Sequence, residues 1–351
     1  MKKNLLMWLS ILSFGIIFLF FVFDYISDKL RKFNSDDVLV GETWDIYLLR
    51  VKGLLTNKPE IVNHKLLLLE PDNIVKGSEL RSYDPTYIKS KSNKYNAFII
   101  YEPCYFKNDL KGLKYDCNLQ YFYLNTKDFK NYDKKIKTKI FFDPDYKVSF
   151  PTEFSVYNQT YYLFESANEK EVKIIDKNTT NAKSILKYNL GIFDPIVLKD
   201  DNNLYLIGNT ENNFVICQTT KNKFIQKKAF KNENCEEYDL GQSRYERNAG
   251  SIFNENGKTY RFTMNNSKTY GKSVDLVEIT NLNKQNFQQK IIKNNFLLNE
   301  LLKIDKNKIK YHHISIIEKE SKNTHLIIID AAKPNFSRIH GKKIQKISSF
   351  E

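Results

Sequence analysis

The chain has 351 residues, 41% of them hydrophobic, which is enough to bury one large core or two small ones. Its 22 Tyr and 25 Phe, against 12 Gly and 8 Pro, suit pleated strands and sugar-stacking surfaces and argue against a helical bundle. The formal net charge of +14 comes from scattered lysines with no zinc-finger spacing, RNP motif or helical basic stripe, so nucleic acid is excluded as a partner.

The first element is an uncharged apolar run from Leu5 to Phe23, long enough at about 1.5 Å per residue to cross a hydrocarbon core of about 30 Å. It follows Lys2 and Lys3, and no small-residue cleavage site comes after it. Residues 1–32 are therefore read as an uncleaved, single-pass membrane anchor with its juxtamembrane segment. Lys29, Arg31 and Lys32 rival Lys2, Lys3 and the amino terminus in setting orientation; the reading adopted puts the bulk of the protein outside the cytoplasm.

Residues 33–345 are read as one domain, because no Pro/Gly-rich linker divides them. Trp44 to Val51 and His64 to Glu70 are apolar runs of strand length, the second expected to lead into the first repeat. From Asp84 onward one pattern returns five times: a turn-forming entry, a β-rich run, a loop of Asn, Asp, Lys or Gly, and a second β-rich run ending in a polar residue. The copies start at Asp84, Phe150, Asp194, Ala249 and His312, spacings of 66, 44, 55 and 63 residues. Each spacing leaves room for two further strands, and four-stranded units in this number predict an all-β, five-bladed β-propeller preceded by a transmembrane helix. Residues 282–305 are expected to hold the one sizeable helix. Cys104 with Cys117 and Cys217 with Cys235 flank local loops and are read either as two disulfides of an oxidising compartment or as four buried thiols.

A hairpin that leaves a rim and returns to it brings its first and last residues together. Asp84 with Glu102, Phe150 with Glu165, Asp194 with Glu211, Ala249 with Asn265 and His312 with Asp330 are thus expected around one opening, as a ring rich in carboxylates. The blander reading is that Asp-Pro pairs initiate turns and the terminal Glu residues are solvated; recurrence in register favours the ring. No Walker, G-x-S-x-G or dinucleotide fingerprint is present, and neither a cofactor nor a metal site is expected.

Ser149-Phe150-Pro151, Phe164 to Asn168, Phe193-Asp194-Pro195, Arg247 to Phe253 and Tyr270-Gly271 resemble the successive blade signatures of a five-bladed propeller domain. That domain forms the amino-terminal part of plant glucosamine inositolphosphorylceramide transferases and occurs in bacterial proteins associated with surface glycans. More distantly, the Asp-Pro entries resemble glycoside hydrolase family forty-three and its arabinanase, levansucrase and invertase relatives. The resemblance implies a catalytic Asp84 and Asp194 together with a Glu. The fourth unit has Arg247-Asn248-Ala249-Gly250 where such a hydrolase places its acid, which leaves Glu165 as the substitute. Glycoside hydrolysis needs one protonated and one ionised carboxyl flanking the scissile oxygen, and crowding carboxylates in a funnel raises the pKa of at least one.

Arg247, Asn248, His312, Glu102 and Tyr270 complete the site as substrate-binding residues. Arg247 is read as a bidentate grip on a substrate carboxylate or phosphate, or as an ion pair with Glu246 or Glu153. His312 is assigned to the funnel by register, as a structural hydrogen-bonding group or a substrate contact. Two functions follow: a monomeric, membrane-anchored carbohydrate-active enzyme working on a surface glycan or glycolipid, or a tethered glycan-binding and assembly module that holds without cutting.

Overall fold

The computed structural model describes residues 42–67, 81–89, 97–109, 112–117, 120–124, 148–166, 169–176, 182–211, 213–227, 229–239, 247–266, 271–306, 310–334, 337–340 and 343–346. Residues 1–32 lie outside them; among the described residues no helix is long and apolar enough to cross a membrane.

Twenty of the strands form five antiparallel sheets. In chain order they are β1 (Glu42–Lys52) and β2 (Glu60–Leu67), then β3 (Arg81–Lys89), β4 (Ala97–Asp109), β5 (Gly112–Cys117) and β6 (Gln120–Leu124). The second unit is β7 (Ser149–Val156), β8 (Gln159–Ser166), β9 (Glu171–Asp176) and β10 (Ala182–Lys187); the third is β11 (Phe193–Lys199), β12 (Asn203–Asn209), β13 (Phe214–Thr220) and β14 (Cys235–Tyr238). The fourth is β15 (Asn248–Glu255), β16 (Lys258–Asn265), β17 (Ser273–Asn281) and β18 (Gln288–Lys293), and the last hairpin is β19 (Ile314–Ser321) with β20 (Thr324–Pro334). β20 pairs with β1 and β1 with β2, so the amino-terminal hairpin completes the fifth sheet. The inner strands β3, β7, β11, β15 and β19 each touch the next, and β19 touches β3. This closed ring of five sheets is a five-bladed propeller, with the last blade stitched shut by the start of the chain.

Two expectations change here. The run from His64 is the outer strand of the fifth blade and does not lead into the first, because it pairs with β1 across Leu49↔His64. Residues 282–305 are mostly strand β18 and turns; the helix there is α2 (Leu298–Ile304), of seven residues, and a second short helix, α1 (Lys221–Lys227), buries Phe224. The mixed apolar spacing of 282–305 comes from a half-exposed edge strand followed by a single helical turn or two.

Blades bury both faces of the strands next to the inner ones, so these strands read as continuous apolar runs and not as strict alternation. In β12, Leu204 to Asn209 are all buried, and β8 is buried from Tyr161 to Ser166. The cores are layers between neighbouring blades. Leu163, Ile174, Leu204, Val215 and Phe224 pack in one, Phe150, Ile207, Ile216 and Phe287 in another, and Leu49, Phe262, Leu276 and Ile327 in a third. Cys217 and Cys235 sit opposite each other on β13 and β14 and form a disulfide, while Cys104 and Cys117 are directly opposite in the β4–β5 register.

The propeller is the compact unit Thr43–Pro334; a separate unit contains the antiparallel hairpin β21 (Ser337–His340) with β22 (Lys343–Lys346).

Candidate functional site

Four of the five inner strands enter through a bulge, and these bulges shape the rim. In β3 the register jumps between Tyr83 and Thr86, in β7 between Ser149 and Thr152, in β11 between Phe193 and Ile196, and in β15 between Asn248 and Ile252. Extra residues on the inner strand bend it and aim side chains at the opening. Phe150 and Asp194 take φ of +50° and +49° in their bulges, and Gly250 takes +118°. Asp84 occupies the same bulge position in β3 as Asp194 in β11. The backbone thus brings both Asp-Pro entries to one rim, as expected; the Asp84 and Glu102 side chains lie outside the described part, as does all of Tyr270.

The bulges also correct the expected pairings. Glu165 faces Ser149 and Glu102 faces Tyr83, but Phe193 is opposite Asn209 and Asn248 is opposite Thr263. Asn209 and Thr263 therefore stand where Glu211 and Asn265 were expected. In the third and fourth blades the return strand therefore presents at the rim a residue two positions before the one counted from the sequence. The ring is less acidic than the sequence suggests.

What converges is a cluster around Glu165 and Asp194. Ser149 Oγ donates to Glu165 Oε1 at 2.9 Å, and the Asp194 backbone N–H donates to Glu165 Oε2 at 2.6 Å. Arg247 grips Asp194 with its fork, Nε to Oδ2 at 2.5 Å and Nη2 to Oδ1 at 3.0 Å. The guanidinium lies 5.2 Å from the centre of the Phe193 ring. Asn248 Nδ2 donates to the Asp194 carbonyl at 2.7 Å and to that of Ile207 at 3.3 Å. Four of the expected site residues, Glu165, Asp194, Arg247 and Asn248, are thus one unit. Arg247 grips the Asp194 carboxylate, a partner the sequence reading did not name, while Glu246 lies outside the described residues; Asn248 holds the backbone carbonyls of Asp194 and Ile207.

The Asp194 side chain is 5% exposed and that of Arg247 24%, so Arg247 is the more open end of the cluster. Burial raises the Glu165 carboxyl from 4.5 to about 7, and the neighbouring Asp194 carboxylate adds to the rise; Arg247, the Asp194 N–H and Ser149 oppose it. Near neutrality the fixed Glu165 carboxyl is therefore only partly ionised, beside an Asp194 carboxyl that is gripped by an arginine. This is the charge pattern of a tuned proton donor.

The raised value has a thermodynamic sign. Between about 4.5 and about 7 the folded protein keeps the Glu165 proton while the unfolded chain has lost it, so stability declines as pH rises through that window. The decline attributable to Glu165 is on the order of 3 kcal/mol. Denaturant unfolding at pH 5 and pH 8 should show it in the wild type and a flatter dependence in Glu165→Gln; equal dependence in both would refute the assignment.

His312 belongs to the fifth blade and is buried. Its Nδ1 lies 2.6 Å from Asp330 Oδ2, while Asp330 Oδ1 accepts the backbone N–H groups of His312 at 3.1 Å and His313 at 2.9 Å. The imidazole packs on Trp44 with ring centres 4.5 Å apart, and a Cβ on Gly271 would come within 3.0 Å of the His312 Cβ. This is the structural use of the imidazole; with 2% of its side chain exposed, His312 is not placed to hold substrate. Among the described residues, no three His, Cys, Asp or Glu side chains converge as metal ligands.

Sequence reasoning missed Ser149 as a partner of Glu165, and it missed Arg261, fully buried in β16, which holds Asn248. An arginine between Tyr260 and Phe262, in a strand with both faces buried, was the available signal for Arg261.

A propeller with an arginine-clamped carboxylate pair at its rim is the class of protein that fold and site define. The family model described as "Glucosamine inositolphosphorylceramide transferase 1, N-terminal" matches residues 130–332, more than half of the chain, and the chain belongs to that family. No curated protein matches the sequence. Similar solved structures include the catalytic domain of the Coprinopsis cinerea GH62 α-L-arabinofuranosidase, 10% identical over 75% of this chain and 94% of that one, with a TM-score of 0.48. The Listeria innocua β-1,2-mannobiose phosphorylase is 7% identical over 82% and 96%, at 0.49, and a GH43 β-1,3-galactosidase 8% identical over 77% and 95%, at 0.45. At these values the propeller assignment rests on the strand pairing and not on the likeness.

Proposed function

We propose that this chain is a membrane-tethered, carbohydrate-active propeller that acts on a surface glycan or glycolipid at the Glu165–Asp194 rim, by glycoside hydrolysis. Glu165 is the proton donor, raised toward neutrality by burial and then by Asp194, and Asp84 the second carboxylate that serves as base or nucleophile. The observation that carries the reading is the buried Glu165 carboxyl set against the arginine-clamped Asp194. Family membership supports a sugar ligand. Leu5 to Phe23 supply the tether, with the propeller outside the cytoplasm. Protease added to intact spheroplasts should digest the propeller; digestion only after lysis reverses this topology.

A second reading, a glycan-binding and assembly module, is favoured by one observation: both Glu165 oxygens already accept hydrogen bonds from the protein and Asp194 is almost fully buried. One experiment separates the two. The full chain is incubated with a panel of glycans and glycolipids, and both retention and release of new reducing ends are measured. Hydrolysis predicts release that falls at least a hundredfold in Asp84→Asn and in Glu165→Gln, with retention within about tenfold of wild type. Retention without release in the wild type selects the binding module, and neither retention nor release refutes both.

A further inference from the structure

The rim residues are held from a distance by a polar chain that crosses the fourth blade. Asn248, whose amide fixes the Asp194 carbonyl, is itself held: Arg261 Nη1 donates to Asn248 Oδ1 at 2.5 Å. Arg261 is fully buried, and its Nε and Nη2 both donate to Gln289 Oε1, at 3.1 and 2.7 Å. Its guanidinium lies 5.2 Å from the centre of the Phe214 ring on β13, so the arginine sits where the third and fourth blades meet. Gln289, on the outer strand β18, is thus connected through Arg261 and Asn248 to the Asp194 peptide at the entry of β11.

That peptide needs holding. Asp194 has φ +49°, a left-handed conformation that costs a non-glycine residue of order 1–3 kcal/mol and persists only where surrounding contacts over-determine it. The same residue presents its N–H to Glu165 and its carboxylate to Arg247. A buried arginine is an expensive support, since its charge must be desolvated. Its planar fork nevertheless meets Gln289 through two donors and still reaches Asn248 through the third nitrogen, which a lysine cannot do.

We propose that Arg261 and Gln289 are positioning residues for the rim carboxylates: by fixing Asn248 on the Asp194 carbonyl they help hold the φ and ψ of Asp194, and so keep the N–H on the other side of its Cα on Glu165. The proposal rests on the reading of Glu165 and Asp194 as an acid–base pair. Hydrogen-bond strength falls steeply with distance and angle, whereas charge repulsion between the carboxylates falls slowly. Loosening the Asp194 backbone therefore weakens the N–H bond that favours ionised Glu165 while leaving most of the repulsion that disfavours it.

The test titrates the Glu165 side-chain carboxyl carbon by NMR in the full chain, assigned by its loss in Glu165→Gln, and needs no substrate. Gln289→Met keeps the length of the side chain and removes the acceptor; the Glu165 midpoint should rise from about 7 by on the order of half a unit. Gln289→Glu, which restores an acceptor for Arg261, should return it toward the wild-type value. Arg261→Lys is the second variant and should act as Gln289→Met does. A midpoint unchanged in Gln289→Met and in Arg261→Lys, while the melting temperature falls, would make the chain merely structural and overturn the proposal. Failure of the glycan reading would show differently, as absent retention and turnover whatever the midpoint.

Discussion

Asp194→Asn should destabilise the propeller by about 2–3 kcal/mol and lower the proton affinity of Glu165 in the same protein. Asparagine is among the few residues that tolerate the left-handed conformation, so the φ of +49° is kept and the change isolates the charge. Arg247 loses the carboxylate that both arms of its fork engage. Removing one member of a fully buried pair costs about 3–5 kcal/mol. The Arg247 side chain is 24% exposed, so water compensates part of this and the expected cost is smaller. At Glu165 the repulsion from Asp194 disappears while the attraction to Arg247 remains, so the carboxyl ionises at lower pH. If the site is hydrolytic, turnover at pH 7 should fall by on the order of tenfold or more, because less Glu165 carries the proton it must donate. Denaturant unfolding gives the first effect and carboxyl NMR the second. A stable variant with an unmoved Glu165 would mean that the Arg247–Asp194 pair does not exist in solution.

Gly250→Ala should be the most damaging single substitution in the fourth blade, at about 4 kcal/mol or more. At φ +118° an L side chain is strained in itself, and the added Cβ would stand 2.0 Å from the Ile314 carbonyl oxygen. This is the point where β15 and β19 make their single parallel bridge, so neither backbone is free to yield. Gly257→Ala is the matching control: its φ is also positive, at +74°, but nothing lies within 4 Å of the new methyl. It should cost only about 1 kcal/mol. Equal losses in the two variants would show that conformation alone, and not the approach of the two blades, sets the requirement at Gly250.

The repeated hairpins were legible because each is local. Tyr161 to Ser166 and Leu204 to Asn209 are buried on both faces and bounded by turn-forming residues, and that pattern is visible without any partner. The fifth blade was half hidden. Its outer strands come from residues 42–67 and its inner strands from residues 314–334, and no short-range pattern announces a pairing over that separation. Carboxylates at the rim were found by counting along strands, and the counting overshot by two residues at Glu211 and Asn265, a register that only the strand pairing reveals. Arg247 was recognised as a clamp, but its partner is a protein carboxylate brought from another blade. The burial of Arg261 follows only from the packing of blade on blade.

The central claim is that Glu165 is a proton donor tuned to neutrality by burial against Asp194, and its own titration tests this most directly. With glutamate carboxyl carbons labelled in the full chain, the resonance assigned to Glu165 should titrate at about 7 in the wild type and at lower pH in Asp194→Asn. A midpoint near the ordinary glutamate value of 4.5, unmoved by Asp194→Asn, would contradict the account.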